Sequence, residues 1–254
     1  MLLAIDIGNT NITLGVYDND VLCFTARLAT VDGFTADQYA VEIKNVLELH
    51  GLNHKGIEDC VISSVVPSLG GAVCNAVSML CDIVPLELGP GVKTGLNIKI
   101  DNPAQLGADL VAGAVGAISE YTLPCVVIDM GTASTISVIN KHGEYIGGVI
   151  SAGVRLTLKA LAENTAQLPS IDISAPKSVI GSNTVDSMKS GLIFGTASMI
   201  DGLLDRISEE LGEQPTVIAT GGLSKEIISH CKTDIIYNDN LLLDGLREIY
   251  EKNR

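Results

Sequence analysis

Leu2-Leu3-Ala4-Ile5-Asp6-Ile7-Gly8-Asn9-Thr10, at the start of the chain, and Val126-Val127-Ile128-Asp129-Met130-Gly131-Thr132-Ala133-Ser134, near its midpoint, share one design. In each, an apolar run leads to an aspartate, one spacer, a glycine, and then hydroxyl or amide side chains. The run reads as a buried strand and the glycine as the turn that ends it. A carboxylate at a strand end can hold a metal ion or its waters, and a glycine turn lets backbone N–H groups approach phosphate oxygens. Two such turns facing each other form a phosphate clamp. The expectation is a nucleotide-using phosphotransferase built from two related halves.

Working outward from the first turn, Ile12–Tyr17 reads as the return strand of a hairpin. Asn19-Asp20 turns into a third strand over Val21–Ala29. Thr35-Ala36-Asp37-Gln38 has the form of a helix start, Tyr39 to His50 keeps helical spacing, and Gly51 is a suitable stop. A buried strand over Asp59–Val65 ends at Pro67. A small-residue helix over Gly70–Cys81, a strand over Ile83–Leu88 and an Ala/Gly-rich helix over Gly107–Ile118 follow. The second half restarts at Cys125 with strand, turn and strand (Thr135–Asn140, then Tyr145–Ile150). Helices are expected over Arg155–Glu163, Val185–Leu211 and Leu241–Lys252, with a strand over Thr216–Thr220. Hairpins that then alternate with helices predict an α/β fold with mixed sheets. The restart near residues 115–125 divides it into domains 1–118 and 119–254.

The chain has 254 residues, 46% hydrophobic and 18% charged, which suits a globular protein with room for one large or two modest domains. Its net charge of −14, with no run of Lys and Arg, predicts a surface that repels nucleic acid. A pocket for an anionic nucleotide must then draw its positive potential from backbone amides and bound cations. No leader is expected, because the N-terminus enters its first strand at once without a basic region or a cleavage site. No membrane segment is expected, because the apolar stretch Leu110–Ile118 is too short to span a bilayer. The six cysteines lack CxxC spacing and read as buried, reduced thiols, which predicts a cytoplasmic protein.

Asp6 is the leading candidate for organising a metal, and Asp129 follows the same logic; each alone could be a turn-forming aspartate. Thr220-Gly221-Gly222 closes another apolar strand, where a double glycine lets a base or ribose lie against backbone, or simply makes a turn. Asp109 sits at the head of the Ala/Gly-rich helix among apolar neighbours. There its basicity would rise enough to accept a hydroxyl proton, unless it only complements the helix dipole. The four histidines lack metal-ligand spacing and read as surface residues. The P-loop, GxSxG and GxGxxG motifs are missing, which counts against those nucleotide-binding and hydrolase designs.

Taken in order, DxGNT, NPxxxGAD, DxGTAxT, GGxI, GxNT and TGG resemble the type III pantothenate kinases of the acetate kinase, sugar kinase, Hsp70 and actin superfamily. Ser63-Ser64-Val65-Val66-Pro67, Val92-Lys93-Thr94-Gly95-Leu96, Asn164-Thr165-Ala166-Gln167-Leu168-Pro169 and Leu243-Asp244-Gly245-Leu246 extend the likeness over nearly the whole chain. The resemblance implies duplicated ribonuclease-H-like (actin-like ATPase) domains and ATP-dependent phosphorylation of pantothenate, the first step of coenzyme A synthesis. It implies that Asp6, Ile7, Gly8, Asn9, Thr10, Asn11, Ile12 and Thr13 bind phosphates, with Asp6 serving Mg²⁺, and that Thr132, Gly221 and Gly222 touch ATP. Asp109 would be the base, and Asp129 would ligate a monovalent cation, K⁺ or NH₄⁺. Ile100, Gly107, Ala108, Leu110 and Thr184 would line the acceptor site, in a homodimer that binds neither nucleic acid nor membrane.

The chain departs from the family pattern at Ile100, where a tyrosine is usual, and at Leu110, where an arginine is usual. It departs again at Ala152 (usually proline) and Ser182 (usually lysine). An arginine can bind the carboxylate of pantothenate bidentately and a leucine cannot. Two alternatives therefore stay open at this level: a related kinase with another hydroxyl acceptor, and a catalytically weak nucleotide-binding regulator.

Overall fold

The first apolar run forms strand β1 (Leu2–Ile7), flanked by antiparallel β2 (Asn11–Asp18) and parallel β4 (Asp59–Ser64). With β3 (Val21–Ala29) and β5 (Leu86–Glu87), the sheet order is β3-β2-β1-β4-β5. The second run forms β7 (Cys125–Met130), flanked by antiparallel β8 (Ala133–Ile139) and parallel β10 (Thr216–Thr220). Adding β9 (Glu144–Ala152), β11 (Ile236–Tyr237) and a further edge strand β6 (Asn97–Ile98), the second sheet runs β11-β10-β7-β8-β9-β6. Apart from β6, the two sheets repeat one order and one set of strand directions. Even the irregularity recurs: β2 slips against β3 between Val16 and Tyr17, and β8 against β9 at the equivalent Val138 and Ile139. This is the duplicated, mixed-sheet α/β architecture that the paired turns predict.

The structure is a computed structural model that describes all residues, 1–254. It divides into two units. The first comprises residues 1–96, 101–119 and 240–254, and the second residues 97–100 and 120–239.

In the first unit, alternate residues of β1 face opposite layers, as the two-residue period of a strand requires. Leu3, Ile5 and Ile7 join a core closed by α1 (Ala36–Leu49) and α2 (Pro67–Cys81). Leu2 and Ala4 face Ala112 of α3 (Ala108–Glu120) and Leu243 and Leu246 of α7 (Leu241–Glu251). Asp6 shares the second parity, so the fold turns it toward the α3 layer. Gly116 and Gly245 let α3 and α7 touch backbone to backbone; a Cβ at either would collide with the facing helix.

In the second unit, Val126, Ile128 and Met130 pack with Leu192, Ile193, Ala197 and Ile200 of the long α5 (Thr184–Leu211), and with Ile227 of α6 (Ser224–Ile228). Val154 of α4 (Val154–Asn164) closes the same core. Asp129 has the opposite parity and points away from it.

Several expectations change in detail. The strand expected over Ile83–Leu88 pairs only at Leu86 and Glu87. Asp82 ends α2 in the left-handed region, at φ 58°, and Pro85 has no N–H to give a ladder. α2 starts at Pro67, before the expected Gly70, with proline in the first turn where its missing N–H costs nothing. Not all thiols are buried: Cys60 and Cys125 are, whereas Cys23 is exposed. No helix is long and apolar enough to cross a membrane.

Candidate active site

At the end of β1, Gly8 makes the turn. Its N–H donates to the Asn11 carbonyl at 3.0 Å, and its own carbonyl accepts from Thr30 Oγ1 at 2.6 Å. Asn9, Thr10 and Asn11 are exposed at the tip of this loop, while Ile7 and Ile12 are buried in the core and can offer a ligand only backbone. Asp6 lies directly across from Thr13 on β2 and from Ser63 on β4. Ser63 is fully buried, and its Oγ donates to Asp6 Oδ1 at 2.6 Å.

Asp109 enters the same neighbourhood from the first turn of α3. Gly107 precedes it, and a Cβ there would lie 3.7 Å from Val65 Cγ1, so the helix start abuts the loop that follows β4. Asp109 Oδ1 accepts the Leu110 N–H at 2.8 Å, which fixes the carboxylate against its own backbone. Burial is the main cause that pushes the Asp6 carboxyl up to about 6; the Ser63 hydrogen bond opposes it and the nearby charge of Asp109 adds to it. Burial likewise raises Asp109, against the Leu110 N–H. Two carboxylates of raised basicity thus share one face of the first sheet, which is how acid–base sites are built.

The second turn repeats the scheme with one residue fewer. The Gly131 N–H donates to the Ala133 carbonyl at 3.1 Å, and Asp129 lies across from Thr135 on β8 and Thr220 on β10. Gly221 passes beside Asp129 at φ 96°, where a Cβ would stand 2.7 Å from Asp129 Oδ1. Only glycine fits that path. Gly153, the N-cap of α4, presses on the carbonyls of Gly131 and Thr132, and its N–H donates to the Thr132 carbonyl at 3.1 Å. Thr135 Oγ1 is buried without a hydrogen bond, on the same side of the sheet as Asp129.

The expected residues therefore fall in two groups. The first unit holds Asp6 to Thr13 together with Gly107, Ala108, Asp109 and Leu110. The second holds Asp129, Thr132, Gly221, Gly222, Ile100 and Thr184. Leu110 and Ile100 are half-buried, and Thr184 opens α5 exposed, next to its cap Asn183. Two polar groups had no assigned role in the sequence, Ser63 and Thr135. Their signal was register: each is the cross-strand partner of a predicted aspartate, and that pairing becomes readable only once the strands are aligned.

A profile of the family described as type III pantothenate kinase matches residues 2–206. The type III pantothenate kinase of Halalkalibacterium halodurans is 43% identical over 253 residues, covering 100% of both chains. That of Exiguobacterium sibiricum is 45% identical over 254 residues, again covering 100% of both. Among solved structures, the (R)-2-hydroxyglutaryl-CoA dehydratase component A of Acidaminococcus fermentans superposes with a TM-score of 0.60 at 15% identity, over 100% of this chain and 99% of that one. The ROK hexokinase of Thermus thermophilus gives 0.54 at 11% identity, over 100% and 99%. The two structures share the fold.

Proposed function

The chain belongs to the type III pantothenate kinase family, and we propose that it transfers the γ-phosphoryl group of ATP to the primary hydroxyl of pantothenate, the first step of coenzyme A synthesis. The observation that carries the reading to this chain is the Asp6–Asp109 pair: a carboxylate at the phosphate-binding turn beside a second of raised basicity at a helix start. In this mechanism Asp109 accepts the hydroxyl proton as the oxygen attacks the γ-phosphorus and the bond to ADP breaks. The turn Gly8–Thr13 offers N–H and hydroxyl donors to the phosphates, and Thr132, Gly221 and Gly222 contact the nucleotide. Gly107, Ala108 and Leu110 border the hydroxyl-bearing substrate, and the family likeness assigns Ile100 and Thr184 to the same substrate.

The donor sets fit hard cations. Ser63 donates to Asp6 Oδ1, and the other oxygen, Oδ2, suits Mg²⁺ or its waters. Asp129 with the unpartnered Thr135 hydroxyl suits a monovalent cation. When bound, these ions neutralise charge on the transferring phosphoryl group, the main need of such a reaction. The exposed Ile150 and Ile180, at 74% and 87%, support a homodimer that covers them. Six unpaired thiols suit the reducing cytoplasm.

The test is a coupled ADP-release assay. Turnover should need Mg²⁺ and pantothenate and rise with K⁺. Asp109→Asn should lower kcat by about 10²–10⁴ with ATP affinity unchanged, the usual range for a general base. ADP release indifferent to pantothenate would overturn the assignment.

A further inference from the structure

We propose that Ser63 is a positioning residue for Asp6, holding its carboxylate in the one orientation that presents Oδ2 to magnesium and the phosphates. The proposal rests on the reading of Asp6 as the group that faces them. Three observations carry it. Ser63 stands beside Asp6 on the neighbouring parallel strand, in register and on the same face. It is fully buried, so water cannot take the place of its hydroxyl. Its Oγ donates to Oδ1 at 2.6 Å, the short distance of a hydroxyl bonded to an ionised carboxylate, which leaves Oδ2 for the cation.

A carboxylate at the end of a strand can otherwise rotate about its last side-chain bond, and ordering it on binding costs affinity. A fixed donor on one oxygen removes that freedom in advance. Pairing across parallel strands gives a more rigid anchor than a loop residue would, because β1 and β4 are held by their own ladder. The equivalent of Ser63 in the second sheet is Thr220, across from Asp129, so this position of the fold also accepts the bulkier hydroxyl residue.

The experiment measures ADP binding by calorimetry, in EDTA and across a magnesium titration, for the parent chain, Ser63→Ala, Ser63→Thr and Asp6→Asn. The readout is the factor by which magnesium tightens ADP. A serine that mattered only for overall stability would not move that factor, and one that mattered only for local packing would not have it restored by threonine. Ser63→Ala should lower it about tenfold, the scale of one hydrogen bond to a charged group, and leave ADP binding in EDTA unchanged. Ser63→Thr should restore it. The proposal is overturned if Ser63→Ala keeps the full factor while Asp6→Asn loses it, which leaves the reading of Asp6 intact. It is also overturned if Ser63→Ala loses the factor and Ser63→Thr fails to return it, since the cause is then packing. If Asp6→Asn itself keeps the factor, the reading of Asp6 fails and the proposal falls with it. Should Ser63→Ala not fold, Ser63→Cys takes its place with the same expectations, because a thiol fills the site but donates weakly.

Discussion

The turns after β1 and β7 are built on one plan and finished differently. Both place an aspartate across from a threonine on the antiparallel side and from a hydroxyl residue on the parallel side. At the end of the parallel strand the chains diverge. The first unit continues through Ser64, whose hydroxyl bridges to the backbone of Val66, whereas the second passes through Gly221, pressed against Asp129. The first aspartate gains a second carboxylate, Asp109, from the helix that covers its face. The second gains a tight glycine and an unpartnered threonine hydroxyl. Duplication supplies the frame, and the residue next to each aspartate's parallel-strand partner, Ser64 or Gly221, differs between the two turns.

The sharpest way to break this asymmetry is to remove each charge in turn. Asp6→Asn should lower kcat by about 10²–10³ at saturating K⁺, the range seen when one preorganised electrostatic contact is lost. Asp129→Asn should mainly abolish the stimulation by K⁺ and leave the unstimulated rate within about tenfold. The measurement is steady-state ADP release with K⁺ varied for each variant. Equal losses that no cation concentration separates would mean that the two turns do the same job.

The next effect tests the glycines that finish the second turn. Ala at 221 would have to adopt φ 96° with its Cβ 2.8 Å from the Met130 nitrogen, and Ala at 153 would collide with the carbonyls of Gly131 and Thr132. Each should cost about 3–5 kcal/mol, from backbone strain and overpacking together, read as a lower urea midpoint. Ser64→Ala, at the position equivalent to Gly221, should cost about 1 kcal/mol, the net worth of its hydrogen bonds. Similar losses at 64 and 221 would contradict the account of why the two loops differ.

How much of this was readable beforehand follows from the range of each interaction. β1 and β7 are continuous apolar runs ending in Asp-x-Gly, a local pattern, and they stand where expected. The placement of Asp109 at a helix start was also local, legible from Gly107-Ala108-Asp109. Its meeting with Asp6 was not, because it depends on which layer α3 covers, and that is set by Leu2, Ala4, Val61 and Ala112 packing together across a large sequence separation. The same holds for α7. It follows the second half in sequence, yet Leu243 packs over Gly15 of β2, a contact that no periodicity announces. Short edges such as β6 and β11 carry two residues each, too few to show a period.

Burial of the first carboxylate gives a smaller and opposite effect on stability. The Asp6 pKa of about 6 lies above its ordinary 3.8, so the folded chain holds the proton more tightly than the unfolded one. Ionised Asp6 therefore weakens the fold. The penalty is absent below pH 3.8, grows as pH rises, and is complete above about 6. Asp6→Asn should accordingly stabilise the ligand-free protein by roughly 3 kcal/mol at pH 7.5 and about half that at pH 5, read by urea unfolding. Loss of activity with gain of stability is what a site residue held against its solvation preference should give. A destabilised variant at pH 7.5 would show that the Ser63 hydrogen bond outweighs the cost of burial.

The smallest expected effect, that of Thr35→Ala, belongs to a contrast between the helices that follow the two meanders. α1 is closed by a full capping box: the Thr35 side chain accepts from the Gln38 N–H, and the Gln38 side chain accepts from the Thr35 N–H at 2.9 Å. α4 starts at Gly153 with no side-chain cap, so no protein side chain competes for the first N–H groups of that helix. Thr35→Ala should cost about 1 kcal/mol and leave ATP and magnesium dependence untouched, since α1 packs on the face of the first sheet opposite Asp6. Gly153→Ser tests the other side of the contrast. Its side chain would strike the same carbonyls as alanine, so a capping residue there should destabilise rather than help. A stabilised Gly153→Ser variant would show that the second turn has room to spare, and that its bare helix start is not imposed by the close approach of Gly131 and Thr132.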